Sequence, residues 1–404
     1  MKIAYIISLF PCWSETFIMR ELAELSRRGH PAQIYSLKTA SEKTVHSEAE
    51  QLLSGVCYPN LTASLASTLR VLVQQPSTVM RIVLDLIAGG YRYPLMLAKT
   101  LAMLPVIFAY AESLKSKGIE HIHAHWATYP ATAAWIIMRL TGISYSFTAH
   151  AHDIWLQKPY LKAKIDAAST VVTISQYNVT YLTNLYGAAV REKIAVVHCG
   201  LDPEKFVAIE RDGRKTSHIV SVGRFDEIKG FEYLVRACRI LKKKSLPFHC
   251  TFIGSGPLLR PMQILAMELD VDDRITFAGA LLQSDLKQLL RQSDLFVLPS
   301  VQTVTGDQDG IPVALMEAML MRLPVISTTV SGIPELILHR QTGLTVPPRD
   351  AGVLADAIQE MLTDHKLRST CTENGHKHVS EQFNIELSVR QLLHIFGSGA
   401  SLER

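Results

Sequence analysis

The chain has 404 residues, 48% hydrophobic and 19% charged, with a formal net charge of +4. That length and apolar fraction build two or three packed domains and exclude a disordered or fibrous chain, while so small a net charge excludes a broad nucleic-acid footprint. Cys12, Cys57, Cys199, Cys238, Cys250 and Cys371 follow no metal-ligand or redox spacing and fit a reducing cytosol.

The opening MKIAYIISLF predicts a strand over residues 3–9, not a signal peptide, because its apolar run is short and no small-residue cleavage site follows. A helix over about residues 14–28 comes next, with Ser14 placed to cap it, Ile18, Leu22 and Leu25 on one face, and Gly29 closing it. Ser14, Glu15 and Thr16 stand where strand turns into helix and can touch substrate there; capping accounts for Ser14 equally well. Residues 61–110 read as long apolar helices carrying Arg70, Arg81, Arg92 and Lys99 against only Asp85. That composition suits an anionic membrane surface, or simply the completion of the first domain. No segment reads as membrane-spanning: residues 100–111 form the longest uncharged apolar run, contain Pro105, and fall short of the roughly 20 residues a crossing helix needs. Further strands over 33–37, 121–125, 144–149, 170–174 and 194–197, with helices between several of them, make residues 1–199 a doubly wound parallel-sheet domain.

Residues 200–217 are polar and charge-rich and read as a linker, after which strand and helix alternate again. Strands over 218–222, 249–253, 275–277, 295–298 and 324–327 place a second parallel-sheet domain over residues 218–380. Ligands of such sheets bind beyond the carboxyl ends of the strands, so the two domains are expected to face each other across a cleft that holds the site.

Four motifs carry candidate chemistry. In GDQDGIPVALME, residues 306–317, Asp309 lies in a loop and Glu317 about two turns inside the following helix, around Gly310, Ile311 and Pro312. Carboxylates are acceptor-only groups, so both can face a polyhydroxyl ligand, although a loop acid followed by a solvated helix acid has the same spacing. SVGRFDEIKG, residues 221–230, follows a strand and supplies Gly223, Arg224 and Lys229. A bidentate fork and a point charge can together clamp a diphosphate; the alternative is a solvated turn with Lys229 paired to Asp226 or Glu227. FIGSGPL offers amides at Gly254 and Gly256, FAGAL a turn at Gly279, Ala280 and Leu281, and GIPEL amides at Gly332 and Ile333. Finally, His121, His123 and His125 alternate along one strand, and His150, His152 and Asp153 follow another. A metal site is one reading; strand-end histidines that hydrogen-bond a ligand while the rest satisfy the core is the other, with His150 the best placed.

Taken in order, FPCWSETF, HIHAHWA, FTAHAHDIW, VTISQYN, VVHCGLDPEKF, SVGRFDEIKG, FIGSGPL, FAGAL, DGIPVALMEAM and SGIPELI with GLTVPP resemble the retaining glycosyltransferases of family 4 over nearly the whole chain. The SETF, HAHW and FTAHAHD segments are most similar to colanic-acid-type exopolysaccharide transferases. The resemblance implies a GT-B fold of two Rossmann-like domains and transfer of sugar from a nucleotide-diphosphate donor. It implies that Arg224 and Lys229 stabilise the diphosphate, Glu317 binds ribose, Asp309 contacts the donor sugar, and His150 sits at the reacting centre. Gly279, Ala280 and Leu281 would hold the base, and the first domain would bind acceptor, with Ser14, Glu15, Thr16, His125 and Asp153 on that side. It further implies catalysis without metal or other cofactor, a polysaccharide or polyprenyl-linked acceptor, a cytoplasmic enzyme either free or peripheral on the inner face of the membrane, and a closing segment, residues 381–404, that returns to the first domain. Asp309 departs from the family's usual Glu and shortens that reach by one methylene, leaving Asp307 as a rival contact. A non-catalytic binding subunit and a sugar-nucleotide epimerase of the same architecture are the alternatives.

Overall fold

Every strand pair in the computed structural model, which describes residues 1–12, 15–39, 52–156, 158–206 and 216–399, is parallel. The chain divides into two compact units, residues 1–200 with 385–404, and residues 201–384. Unit 1 holds β1 (Ile3–Ile7), β2 (Gln33–Ser36), β3 (Val56–Cys57), β4 (His121–His125), β5 (Ser144–Ala149), β6 (Thr170–Thr173) and β7 (Ile194–Val196), in the order β3-β2-β1-β4-β5-β6-β7. Unit 2 holds β8 (Ser217–Val222), β9 (Phe248–Ile253), β10 (Ile275–Gly279), β11 (Leu295–Leu298), β12 (Val325–Thr328) and β13 (Leu344–Val346), in the order β10-β9-β8-β11-β12-β13. Each sheet is doubly wound, and strand order reverses between β1 and β4 and between β8 and β11, where such sheets place their ligands.

The central strands are buried along their whole length because helices cover both faces, and β1 and β11 accordingly read as continuous apolar runs. The first helix begins at Thr16, with Glu15 in the cap position; Ser14 lies outside the described residues. The Glu15 side chain does not cap the first turn, so packing of Ile18, Leu22 and Leu25 holds the helix instead. Of the segment read as a linker, residues 207–215 lie outside the described residues, whereas Leu201 donates its N–H to Phe383 O at 2.8 Å and joins the core of unit 2 with Phe206. The closing helix Ile385–Gly399 belongs to unit 1: Phe396 packs on His121 and His123, and Glu386 pairs with Arg27 at 2.7 Å.

The helix Pro94–Ser116 is longer than the uncharged run in the sequence: it runs 23 residues through Pro105, takes in Lys99 and Glu112, and is by length and composition alone long and apolar enough to cross a membrane. Its Ile107, Phe108, Ala111 and Leu114 are buried in the core of unit 1, and Tyr110 donates to Ser36 O at 2.6 Å, so it serves as a core helix.

Candidate functional site

In unit 1 the polar groups gather along β4 and β5. Period two turns His121, His123 and His125 to one face, and the register sets a hydroxyl of β5 beside each nitrogen of the first two. His121 engages Ser144 and Ser146 at 3.1 and 2.7 Å, and His123 engages Ser146 and Thr148 at 2.8 and 2.9 Å. Burial pulls His121 down to about 4, and burial, followed by the neighbouring histidines, takes His123 well below its ordinary value. Both are therefore neutral core residues at neutral pH.

The chain of contacts continues at the strand end. Glu21 Oε1 accepts from the Tyr5 hydroxyl at 2.6 Å and lies 3.1 Å from His125 Nε2, while His125 Nδ1 lies 3.2 Å from His150 Nε2. A carboxylate only accepts, so a neutral His125 would carry its proton on Nε2 and take the proton of His150 Nε2 on its own Nδ1. Burial, with the nearby His125 and His152, keeps His150 neutral by lowering its pKa well below the usual value. His150 Nδ1 is thus left as a bare acceptor. The ring sits 4.8 Å from that of Phe17 and 4.5 Å from that of Trp126, and Asn178 Nδ2 donates to the His150 carbonyl at 2.8 Å.

Asp153 corrects an expectation. Its carboxylate does not face an acceptor; it is buried and receives the N–H groups of Ala127, His150 and Ala151 at 2.8, 3.1 and 2.7 Å, tying the end of β4 to the end of β5. Beneath it lies Lys164, fully buried, donating to Ala127 O and Thr132 Oγ1, with a pKa lowered by burial to about 7 against the opposing pull of Asp153. Trp126 is held at φ 80, a left-handed conformation unusual for a bulky residue, and its buried indole N–H has no partner among the described residues.

In unit 2 the polar groups gather beyond β8 and β11. Lys229 Nζ lies 2.6 Å from Asp309 Oδ1, and Ser300 Oγ donates to Asp309 Oδ2 at 2.7 Å. The two residues read separately as a diphosphate contact and a sugar contact are therefore an ion pair, and Asp309 rather than Asp307 is the acid turned inward. The Asp307 carboxylate accepts from the N–H of Gln308 in its own turn. Arg224 is 74% exposed, with Nε 3.9 Å from Asp226. Burial raises the Asp226 carboxyl above its ordinary range, against the pull of Lys229 and with the push of Asp309, and its Oδ1 is buried without a partner among the described residues. Beside this loop opens a cavity of about 400 Å³, lined by Asp226, Glu227, Tyr233, Leu258, Met262 and Arg349.

Residues 14–205 match the family described as Glycosyltransferase Family 4, and residues 216–364 match Glycosyl transferases group 1. The chain belongs to the family 4 glycosyltransferases. The amylovoran biosynthesis glycosyltransferase AmsK of Erwinia amylovora is 29% identical to it over 98% of this chain and 99% of its own length. The putative colanic acid biosynthesis glycosyltransferase WcaL of Salmonella typhimurium is 27% identical over 97% and 98%. The crystal structure of Anabaena Alr3699/HepE in complex with UDP-glucose matches with a TM-score of 0.72 at 17% identity, over 98% of this chain and 100% of that one. The shared architecture is the GT-B fold.

Several backbone groups expected to hold donor in this glycosyltransferase are already committed. Gly223 N–H donates to Ile253 O at 3.0 Å, Gly254 N–H to Gly279 O at 2.8 Å and Ile333 N–H to Val330 O at 3.1 Å. Gly254, at φ 137, and Gly256, at φ 154, are required for another reason: a Cβ would stand 1.9 Å from Gly223 O and 2.6 Å from Phe225 O. Their role is to let two strand-end turns stack, which fixes Arg224 between them. Gly279, at φ 70, ends β10 and leads into an exposed Ala280 and a half-buried Leu281. Gly310 and Ile311 lead to Pro312, which caps the helix Val313–Leu320 in an extended conformation, so half-buried Glu317 is its fifth residue, about one turn in, not two. Glu15 and Thr16 are half-buried at the start of their helix. Glu21 and Lys164 escaped the sequence reading because their partners are distant along the chain, and Trp126 and Ser300 escaped it as well, Ser300 although Asp309 is only nine residues away.

Proposed function

We propose that this glycosyltransferase moves a sugar from a nucleoside-diphosphate donor to a lipid-linked or growing surface polysaccharide, in the cytoplasm, with retention at the anomeric carbon and without a metal. The observation that carries the reading is the cluster of half-buried Lys229 with buried Asp309 and Ser300, beside the exposed Arg224. As the bond between the anomeric carbon and the phosphate oxygen breaks, the departing diphosphate gains negative charge. Arg224 meets it with a planar fork and Lys229 with a point charge, in a site where fixed charges need no reorganisation.

Donor binding exchanges partners. The diphosphate takes Lys229, and Asp309, released on one oxygen and still held by Ser300 on the other, receives a sugar hydroxyl. Glu317 takes the ribose hydroxyls. The acceptor hydroxyl forms the new bond on the face the phosphate leaves, and its proton passes to a phosphate oxygen, so no protein nucleophile is required. In unit 1, His150 Nδ1 accepts a hydrogen bond from a sugar hydroxyl, its tautomer held by His125 and Glu21. Glu21, His123 and His125 bring three metal-ligand atoms within 4.8 Å of one another, but both nitrogens of His123 serve hydroxyls of β5, and the cations of unit 2 supply the charge a metal would. The names of AmsK and WcaL support a polysaccharide product, the UDP-glucose bound by HepE supports a nucleotide sugar, and six cysteines without metal-ligand or redox spacing support a reducing compartment. Membership of a glycosyltransferase family sets the epimerase reading aside.

Titration calorimetry with UDP-, GDP- and ADP-sugars, in the absence of metal, tests the donor half. Micromolar binding of one donor, lost in Arg224→Ala and Lys229→Ala, is expected; equal affinity in the variants overturns the clamp. NMR of the anomeric linkage in the product tests retention.

A further inference from the structure

Ten of the eighteen large apolar side chains exposed among the described residues fall between Leu61 and Leu95. They are not scattered. On the helix Leu61–Gln74, Leu61, Leu65, Leu69 and Leu72 recur at i, i+4, i+8 and i+11, which is one stripe of a 3.6-residue period, whereas the buried stripe is Ser64, Ser67 and Val71. The usual amphipathic arrangement is inverted: the fold takes the hydroxyls and leaves the leucines outside. Polar bonds fix that orientation, since Ser67 donates to Glu112 and Arg70 forks onto the same carboxylate at 2.9 and 2.6 Å.

The next helix, Pro76–Gly90, bent from the first by 108°, repeats the pattern, with Met80, Leu84, Ile87 and then Tyr91 outward and Val79, Ile82 and Leu86 inward. Its last turn is seated by Gly89 and Gly90, where any Cβ would collide with the Tyr160 ring, whose hydroxyl donates to Leu86 O at 3.0 Å. Both inward stripes join the same core, so both outward stripes point away from it. An exposed apolar surface of this extent marks a site of contact.

The charges decide what covers it. Residues 61–99 hold four cations, Arg70, Arg81, Arg92 and Lys99, and one acid, Asp85. Asp85 is neutralised by Arg139 at 2.6 Å, while Arg81, Arg92 and Lys99 form no ion pair among the described residues, and Arg92 lies over the Tyr91 ring. Leucines edged by unpaired cations, with an aromatic residue at the border, match an anionic lipid surface better than a second copy of the same cationic face, which would oppose like charges. The face also leads inward. One turn beyond exposed Leu95, Lys99, Ala102 and Met103 line a cavity of about 350 Å³ with Leu37, Lys38 and Tyr129, an apolar pocket with two cations at the carboxyl end of β2.

We propose that the outward face of residues 61–95 lies on an anionic bilayer, with the leucines in the acyl boundary and Arg81, Arg92 and Lys99 at the phosphates. The test is flotation of the purified full-length protein with phosphatidylcholine vesicles containing or lacking phosphatidylglycerol, at low and high salt. The protein is expected to float with the anionic vesicles at low salt. Leu65→Gln/Leu69→Gln/Leu84→Gln/Ile87→Gln and Arg81→Gln/Arg92→Gln/Lys99→Gln should each lower partition by about tenfold or more, at an unchanged melting temperature. The proposal is overturned if the wild type stays unbound, or if the leucine variant floats as well as the wild type. It is equally overturned if the wild type is a dimer that the leucine variant turns monomeric without any vesicle binding, since a second copy then covers the face.

Discussion

The strand ends of the two units solve one problem in opposite ways. Each sheet must keep polar side chains ready for ligand at the carboxyl end of a buried strand, where an unpaired charge is costly. Unit 1 uses mostly neutral groups: histidines held neutral by burial, two of them fixed by hydroxyls, with Asp153 saturated by three backbone N–H groups and Glu21 bonded to Tyr5 and His125. Unit 2 uses charged groups that satisfy one another, Lys229 on Asp309, until something more anionic than Asp309 arrives. Under the proposed function, the neutral half meets substrate with its histidines already fixed, and the ion-paired half exchanges partners with it.

Breaking the charged half should have the largest effect. Lys229→Ala removes a contact that binds the diphosphate and strengthens as it departs, so kcat should fall by about two to three orders of magnitude even at saturating donor, with the donor KM raised as well. The same change leaves Asp309 buried and unpaired, which costs roughly 3 kcal/mol of stability. Lys229→Ala/Asp309→Ala should recover much of that stability and none of the rate. Chemical denaturation beside steady-state kinetics checks both, and a double variant no more stable than the single one would mean that the pair is incidental to unit 2. In the neutral half, Asp153→Ala orphans three buried N–H groups at once and should cost about 3 kcal/mol, measured as a drop in the urea midpoint.

How much of this could be read from the sequence followed the range of the interactions. The bounds of β4, β5 and β11 were legible to the residue because they are buried apolar or alternating runs, whereas β3 and β13, two and three residues long at sheet edges, carry no periodic signal. Lys229 and Asp309 were each legible through their local motifs, but their pairing was not, since 80 residues separate them. Glu317 was placed a turn too deep because Pro312, which suits the first turn of a helix, here stands outside it in an extended conformation. Asp153 looked like a ligand contact because an acid at a strand end does; only the fold reveals that its lone pairs are spent. Glu21 lies 104 residues from His125, and no local pattern joins them.

Acid should separate the two halves. Burial holds His121 near a pKa of about 4, below the unperturbed value of 6.5, so between these values the unfolded chain binds a proton that the folded chain refuses. Stability of unit 1 is therefore present above pH 6.5 and is lost progressively toward pH 4, by about 3 kcal/mol for this one residue, with His123 and His150 acting in the same direction. Asp226 in unit 2 has the opposite sign: its raised pKa means that the folded state takes up a proton first, relieving a buried charge as the pH falls. Hydrogen exchange at pH 7 and pH 5 should thus show β4 and β5 losing protection while β8 and β11 keep theirs, and equal loss in both would remove the distinction.

The finest test of a pre-set neutral site is the tautomer of His150. Glu21 offers only lone pairs, so a neutral His125 carries its proton on Nε2 and His150 then presents a bare Nδ1. Glu21→Gln keeps the size and a hydrogen bond but offers a donor as well as an acceptor, so either tautomer of His125 is satisfied and His150 is no longer held to one. The expected cost is about tenfold in kcat, of the order a single general positioning contact supplies, with stability nearly unchanged. Nitrogen chemical shifts of labelled histidine supply the readout that packing alone would not move: an unprotonated Nδ1 on His150 in the parent protein and a mixture of tautomers in Glu21→Gln, with Glu21→Asp restoring the parent state if its shorter carboxylate still reaches. If the shifts and kcat are the same with Gln as with Glu, His150 takes its tautomer from its own pocket, and Glu21 merely accepts from Tyr5.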